Sequence, residues 1–437
     1  MSEFDVVVIG GGTAGVASAQ SAVEQGVRVA LVELNRLGGH SLLKGQLPLQ
    51  VLSAQLENPD VPISFEGLVQ KVEEEASELS KEIEDRLKSS GVERFKGEGI
   101  LEGSKQVRVF AGDDSSLLKS ERIIIATGSL PKPISKIPFD EQSIFYSDRL
   151  LDWKERPNSL LIVGGDKTGL EAAYLFSLLG TKVFLVDENQ RLIHDKDPDL
   201  ITALEGGFKK QKIKTLLGKK IISIFKDDQK VDITLDGGVK FSTEKILVSG
   251  DRRGNTANLG LEGLSIETGS DQEIWVNENM ETSLKGVYAV GSVTGRSHSL
   301  QISKEEGRVA GVNAAGGNES VDKDQISFYL ETQPKIVSIG CRSGDAHYKG
   351  FRAVEGRYDS NNLGESFHKI VADRESKRII GVQISGQETA ESIALLQSYI
   401  REGVPVKNLA ETSDPAPFSK SIISAVKRCT RALSARR

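Results

Sequence analysis

Asp5-Val-Val-Val-Ile9, Gly10-Gly-Gly-Thr-Ala-Gly15 and Val27-Arg-Val-Ala-Leu-Val-Glu33 decide the fold of this chain. The apolar run 6–9 has the length and β-branched content of a buried strand. It enters a glycine-rich turn directly. The Ala-rich stretch to about Gln25 predicts a helix, and 27–33 predicts a second strand that ends in an acid. Each glycine has its own physical role. Gly10 permits the tight turn. Gly12 has no Cβ and lets the backbone approach a pyrophosphate. Gly15, with Ala19, lets the helix lie close to the sheet. The helix N-terminus offers free N–H groups to the anion, and Glu33 is placed to accept hydrogen bonds from an adenosine ribose. A glycine turn with no ligand is the bland alternative; the strand before and the helix after favour a dinucleotide.

The chain repeats this pattern. Leu160-Leu-Ile-Val163 leads into Gly164-Gly-Asp-Lys-Thr-Gly169, then a helix, then Lys182-Val-Phe-Leu-Val-Asp187. From first glycine to terminal acid the spacing is 33 − 10 = 23 and 187 − 164 = 23. Equal spacing in two βαβ units predicts two dinucleotide-type folds. The second copy has Asp166 where the first has Gly12. A carboxylate a few ångströms from a pyrophosphate costs about 1 kcal/mol if hydrated and about 4 kcal/mol at an effective dielectric of 20. Its Cβ also obstructs, and Lys167 is positioned to offset part of the charge. Asp187, followed by Glu188, would repel a 2′-phosphate, so a nicotinamide dinucleotide held through Gly164, Gly169 and Asp187 would be NAD rather than NADP. Two readings stay open: a weakened NAD site, or a fold kept without a ligand.

At 437 residues the chain is too long for one ordinary core, and two or three domains are expected. With 38% apolar and 27% charged residues and a net charge of −6, nothing favours nucleic acid or an anionic membrane as a partner. Apolar runs are strand-sized, and the N-terminal one follows Glu3 and Asp5, unlike a secretory signal. Cytoplasmic residence is the default expectation. The two cysteines, Cys341 and Cys429, form no C-x-x-C motif. They are either separate thiols or a long-range bridge. Five scattered histidines, His40, His194, His298, His347 and His368, show no metal-binding spacing.

Leu68, Val72, Ala76, Leu79, Ile83 and Leu87 predict one amphipathic helix within 62–91. Strands are expected at 107–111, 122–125, 230–235 and 245–249. Beyond about Val321, strands at 336–339, 353–358, 368–372 and 379–384, with helices at 389–402 and from Ser419, predict an α+β third domain. The basic tail, Lys427, Arg428, Arg431, Arg436 and Arg437, reads as a helix end favourable to the dipole or a surface for an acidic partner. The fold class is α/β: two Rossmann-like, doubly wound domains followed by an α+β domain.

Further motifs resemble the class I pyridine nucleotide-disulfide oxidoreductases, dihydrolipoamide dehydrogenase in particular, over nearly the whole chain. Ile123-Ile-Ile-Ala-Thr-Gly-Ser129-x-Pro131 is similar to the family's A-T-G-S-x-P, and Tyr288-Ala-Val-Gly291 to its Y-A-x-G-D. Glu306-Gly307 matches the E-G taken to open the following helix. Phe367-His-Lys-Ile-Val371 and Ile380-Gly381-Val382 resemble the interface domain's F-x-K-L-V and L-G-x. The resemblance implies FAD held by Gly10, Gly12, Thr13, Ala14, Gly15, Glu33, Gly39, His40, Gly99, Ala126, Thr127, Gly128, Ser292 and Leu300. It implies a homodimer, with an FAD domain at 1–149 and 271–322, an NAD-type domain at 150–270 and a dimerisation domain at 323–437.

The same resemblance exposes departures. Gly38-Gly-His-Ser-Leu-Leu-Lys-Gly-Gln-Leu-Pro-Leu-Gln50 is similar to G-G-T-C-x-x-x-G-C-x-P-x-K. Ser41 and Gln46 stand at the two redox-cysteine positions, and Gln50 at the lysine. The terminal H-P-T-x-S-E aligns with Asp414-Pro-Ala-Pro-Phe-Ser-Lys420, with Asp414 for the base and Lys420 for the acid that orients it. Ser292 replaces an aspartate that serves the flavin, Asp251 a glycine near the nicotinamide, and Lys167 an aromatic gate. Glu171 keeps the acidic position of G-x-E, which in the family faces nicotinamide and flavin. His40 is new beside the flavin: it bonds the ring, acts as acid/base, carries FAD covalently, or is structural. Catalytic candidates are therefore His40, Glu171 and Asp414. Disulfide reduction needs a thiolate and a second sulfur, so the expectation is a flavoprotein oxidoreductase without disulfide chemistry. The alternative is a degenerate enzyme whose FAD is structural or sensory, with a redox or regulatory protein partner.

Overall fold

The computed structural model describes residues 2–57, 64–134, 137–140, 142–153, 155–227, 230–296, 299–322, 326–360, 365–388, 390–411 and 418–435. Pro62, His298, Thr389, Asp414, Pro415, Ala416, Pro417, Arg436 and Arg437 lie outside these residues. The chain forms two compact units. One comprises 1–135, 148–155 and 251–321; the other comprises 136–147, 156–250 and 322–437.

The first unit is organised by the strand Ser2–Ile9. Its alternating side chains feed two cores: Val6 and Val8 enter one cluster, Val7 and Ile9 the opposite one. A strand apolar on both faces belongs in the middle of a covered sheet. It pairs in parallel with Val29–Glu33 and with Asp114–Ile125. Glu93–Lys96 extends the sheet beyond Val29–Glu33, and Val287–Ala289 pairs in parallel with Asp114–Ile125. The hairpin of Glu98–Gly103 and Gln106–Ala111 completes seven strands. The helix Thr13–Glu24 packs on Leu300–Ala314, and small residues make that contact close. A Cβ on Gly307 would stand 2.2 Å from the Ala14 carbonyl oxygen, and one on Gly311 2.4 Å from that of Ser18. Glu306 and Gly307 therefore serve the middle of this helix rather than its opening, which corrects the reading from motif alone. The amphipathic helix spans Phe65–Ser89, capped by Ser64, whose hydroxyl accepts from the Gly67 N–H at 3.1 Å.

The second unit holds a five-stranded parallel sheet in the order Lys214–Leu217, Lys182–Asp187, Ser159–Val163, Lys245–Val248, Ile144–Tyr146. Beside it lie three antiparallel strands, Ile221–Lys226, Val231–Leu235 and Lys240–Thr243. The C-terminal part is an antiparallel sheet ordered Phe328–Leu330, Ile336–Gly340, Ile379–Ser385, Phe367–Asp373, Ala353–Asp359. The helices Ala390–Arg401, Val406–Ala410 and Lys420–Ser434 accompany it. The lysine of Phe367-His-Lys is structural. Buried Lys369 donates to both oxygens of Asp197 at 3.0 Å. Asp197 also caps the helix Pro198–Lys210. Cys341 and Cys429 are buried, unbridged, and belong to different apolar clusters. Among the described residues no helix is long and apolar enough to cross a membrane, and no cluster of three His, Cys, Asp or Glu side chains could hold a metal.

Candidate functional site

The first glycine turn is stitched to both neighbouring strands. Gly10 N–H donates to the Val32 carbonyl at 2.8 Å, and Ala126 N–H to that of Ile9 at 2.8 Å. Gly10 has φ +105°, and a Cβ there would meet the Ala126 carbonyl oxygen at 2.4 Å. Gly15 faces the turn itself, where a Cβ would come within 1.8 Å of the Gly10 carbonyl oxygen. At Gly12, by contrast, the nearest atom to a Cβ is Gly39 Cα at 3.8 Å. Gly39, at φ +70°, presses against Gly12, and Gly38 N–H donates to the Gly11 carbonyl at 2.9 Å. The turn and the segment 38–39 thus form one wall.

A cleft of about 1070 Å³ opens beside that wall. Gly10, Gly12, Thr13, Ala14, Glu33, Gly39, His40, Gly99, Ala126, Thr127, Gly128, Ser292 and Leu300 all line it. Gly15 does not; it supports the turn from behind. Gly164, Gly169 and Asp187 belong to the other unit. Several features suit a flavin dinucleotide. Gly12 caps Thr13–Glu24 with no side-chain acceptor, so the first-turn N–H groups keep their capacity for an anion. Among the described residues Thr13 Oγ1 is buried without a hydrogen-bond partner. Glu33 takes the Gly11 N–H on one oxygen at 2.6 Å and the Asn35 N–H on the other at 2.7 Å. Each oxygen retains a lone pair for a sugar hydroxyl. Thr127 Oγ1 donates to the Asn255 carbonyl at 2.8 Å, and Asn255 N–H to that of Gly128 at 3.0 Å, which fixes the 126–129 segment. Ser292 sits in the short helical turn Gly291–Thr294, held by Gly291 N–H donating to buried Glu306 at 2.9 Å.

His40 lines the same cleft, and its Nε2 is 3.1 Å from Asp148 Oδ2. Burial alone would raise the Asp148 pKa. The hydrogen bond and charge of His40, with the positive charge of Arg252, outweigh it and hold the carboxyl below its usual value. Arg252 is itself anchored, donating to Ser129 Oγ at 2.8 Å and to its carbonyl at 2.9 Å. No motif points to Asp148; Arg252 directly follows Asp251, one of the altered positions. After His40 the backbone forms a π-helix, Ser41–Gln46, that runs into Leu47–Glu57. Among the described residues Gln46 Oε1 is buried without a partner, while Gln50 is exposed.

The second turn repeats the first in its backbone. Gly164 N–H donates to the Val186 carbonyl at 2.9 Å, and Asp187 accepts from Gly165 N–H at 2.5 Å and Asn189 N–H at 2.7 Å. Asp166, however, caps the helix Lys167–Leu178. Its Oδ1 accepts from the Gly169 N–H at 2.9 Å and from Ser249 Oγ at 2.5 Å. Lys167 does not turn toward Asp166. Its ammonium pairs with buried Glu171 and donates to the Tyr329 carbonyl at 2.7 Å. Glu171 also accepts from the Glu331 N–H at 2.8 Å. Burial pushes the Glu171 pKa up, against the opposing pull of Lys167. Of the remaining candidates, Asp414 lies outside the described residues, and Lys420 starts the last helix, Lys420–Ser434.

Residues 4–310 match the family described as pyridine nucleotide-disulphide oxidoreductase, and residues 326–425 match its dimerisation domain. The chain is 28% identical to a dihydrolipoyl dehydrogenase of Chlamydia muridarum, covering 95% of this chain and 94% of that one. It is 30% identical to a dihydrolipoyl dehydrogenase of Chlorobaculum parvum, covering 95% and 94%. A mercuric reductase of Lysinibacillus sphaericus is 25% identical over 94% of this chain and 80% of its own length. In fold, the chain is similar to LpdA of Mycobacterium tuberculosis, with a TM-score of 0.89 at 23% identity over 98% and 99% of the two chains. It is also similar to the HOCl-induced flavoprotein disulfide reductase RclA of Escherichia coli, at 0.83 and 21% over 99% and 100%.

Proposed function

Because the chain belongs to the pyridine nucleotide-disulphide oxidoreductase family, whose members bind FAD and NAD(P), we propose that it is a flavoprotein oxidoreductase that does not reduce disulfides through a thiol pair. FAD, when bound, supplies hydride and single-electron transfer. Gly12 and Thr13 would hold its pyrophosphate, Glu33 its ribose, and Gly39, His40, Thr127 and Ser292 the flavin half. The supporting observation is that these residues, distant in sequence, line one cleft. Ser41 and Gln46 can supply neither a thiolate nor a second sulfur. Cys341 and Cys429 are buried in the other unit. On this reading 1–149 with 271–322 is the FAD domain, 150–270 the NAD-type domain and 323–437 the interface of a cytoplasmic homodimer.

Asp166 favours a second reading, a degenerate enzyme in which FAD is structural or sensory and the chain serves a redox or regulatory protein partner. Its carboxylate already occupies the helix end through which Gly164, Gly169 and Asp187 would hold NAD. One experiment separates the two. A yellow preparation that releases FAD on denaturation establishes the flavoprotein. Anaerobic NADH, then NADPH, is added to the holoprotein while flavin absorbance is followed. Bleaching by NADH supports the oxidoreductase; no bleaching with either cofactor overturns nicotinamide-driven catalysis and leaves the binding-protein reading.

A further inference from the structure

We propose that Asp148 is the positioning residue for His40, fixing the imidazole as its Nε2–H tautomer so that Nδ1 is the nitrogen left to accept a proton; a role for that nitrogen toward FAD rests on the flavoprotein reading above. Three segments far apart in sequence converge here. His40 follows the Gly38-Gly39 wall, Asp148 lies in the first turn of the short helix Ser147–Asp152, and Arg252 lies in the two-stranded ladder of Arg252–Gly254 with Ser129–Pro131. All three line the cleft.

The chemistry follows from which atoms touch. An ionised carboxylate only accepts hydrogen bonds. Asp148 is kept ionised by His40 and by Arg252, which Ser129 holds in place. The imidazole nitrogen 3.1 Å from it, Nε2, must therefore carry the hydrogen. In the neutral ring that leaves the lone pair on Nδ1, and Nδ1 is the atom that takes up a proton. Asp148 is largely enclosed, with 13% of its side chain exposed, and His40 lines the cleft beside it. Lys44 and Asp152 also line the cleft, and Asp152 accepts from Arg149 at 3.0 Å.

The test uses the full-length holoprotein with 15N-labelled histidine. His40 is one of five histidines, and its signals are those lost in His40→Gln. The wild type should show His40 as the Nε2–H tautomer. Asp148→Asn should reduce that bias about tenfold, because a charge-assisted hydrogen bond is lost, and Asp148→Glu should restore it. An unchanged tautomer ratio in Asp148→Asn would overturn the positioning role. A preparation that releases no FAD defeats the flavoprotein reading, while the tautomer measurement on that sample still decides the role of Asp148.

Discussion

The glycine turns at 10–15 and 164–169 have nearly the same backbone and opposite electrostatics. Gly12 sits at φ −72°, ψ −178°, and Asp166 at φ −73°, ψ 173°. Gly10 and Gly164 share φ values of +105° and +108°. Each terminal acid accepts the N–H of the turn's second glycine and that of the residue two positions beyond itself. The geometry that cradles a pyrophosphate is therefore present twice. The turns differ in what the helix N-terminus meets. In the first, it is the open side of Gly12; in the second, the protein's own carboxylate. Identical scaffolding does not imply an identical ligand, because one side chain at the cap decides whether the anion comes from outside or from within.

The largest expected effect tests the likeness. Gly15→Ala and Gly169→Ala place a Cβ at 1.8 Å and 2.2 Å from the carbonyl oxygens of Gly10 and Gly164. Both should lose about 4 kcal/mol of stability, in the range of severe overpacking. Denaturant unfolding reads this directly; a loss confined to one variant would mean the two turns are not equivalent. Next comes the difference. Gly12→Asp imports the second turn's acid where there is room for its Cβ. FAD affinity should fall roughly fivefold to a thousandfold at about 1 to 4 kcal/mol of repulsion. Gly12→Ala controls for bulk. Equal FAD retention in the Asp and Ala variants would show that charge is not what separates the turns.

A third effect concerns the cation beside the second turn. Lys167→Met leaves buried Glu171 with the Glu331 N–H and no ammonium. Removing one member of a largely buried pair costs about 3 kcal/mol. Burial already raises the Glu171 pKa in the folded protein, and the substitution raises it further. A folded-state pKa above the unfolded one favours folding at low pH, and that contribution is lost as pH rises through the folded value. The variant's Tm deficit should therefore shrink on acidification toward about pH 5 and grow toward neutrality. A deficit independent of pH would remove Glu171 as its cause.

These comparisons also show what sequence can and cannot reveal. Both turns are legible because their constraint is local: a positive φ at Gly10 and contacts at Gly15 that exclude a Cβ each demand glycine at a fixed offset. The extended strands and the helix Phe65–Ser89 are legible through their periodicity. The fate of Asp166 is not, since a carboxylate aimed at a ligand and one folded back on Gly169 N–H differ only in rotamer. Sequence proximity points Lys167 at Asp166, and instead it serves Glu171 and the Tyr329 carbonyl. The His40–Asp148–Arg252 group is invisible for another reason. It is assembled by sheet topology from distant segments, and no local spacing encodes it. Glu306-Gly307 is recognisable as a motif but not as the middle of a helix, because the tight crossing at Gly307 depends on a helix from the other end of the first unit.

The smallest effect bears most directly on function. Asp166→Gly converts the second turn into the first. It removes an N-cap acceptor of Gly169 N–H, worth a few tenths of a kcal/mol when glycine replaces it, and a partner of buried Ser249 Oγ, for a total of about 1 kcal/mol of stability. It also returns the helix N-terminus to an external anion and removes the repulsion. If the capping carboxylate is what keeps a dinucleotide out, NADH should bind the variant roughly tenfold or more tightly than the wild type, by titration of nicotinamide fluorescence. Asp166→Asn separates the two contributions, because it keeps the cap while removing the charge. Tighter binding in both variants would assign the exclusion to charge; tighter binding in Gly alone would assign it to the occupied cap and the bulk of the side chain. If neither gains affinity, the second turn has lost its ligand for reasons beyond Asp166. The likeness between the two turns would then be one of architecture alone.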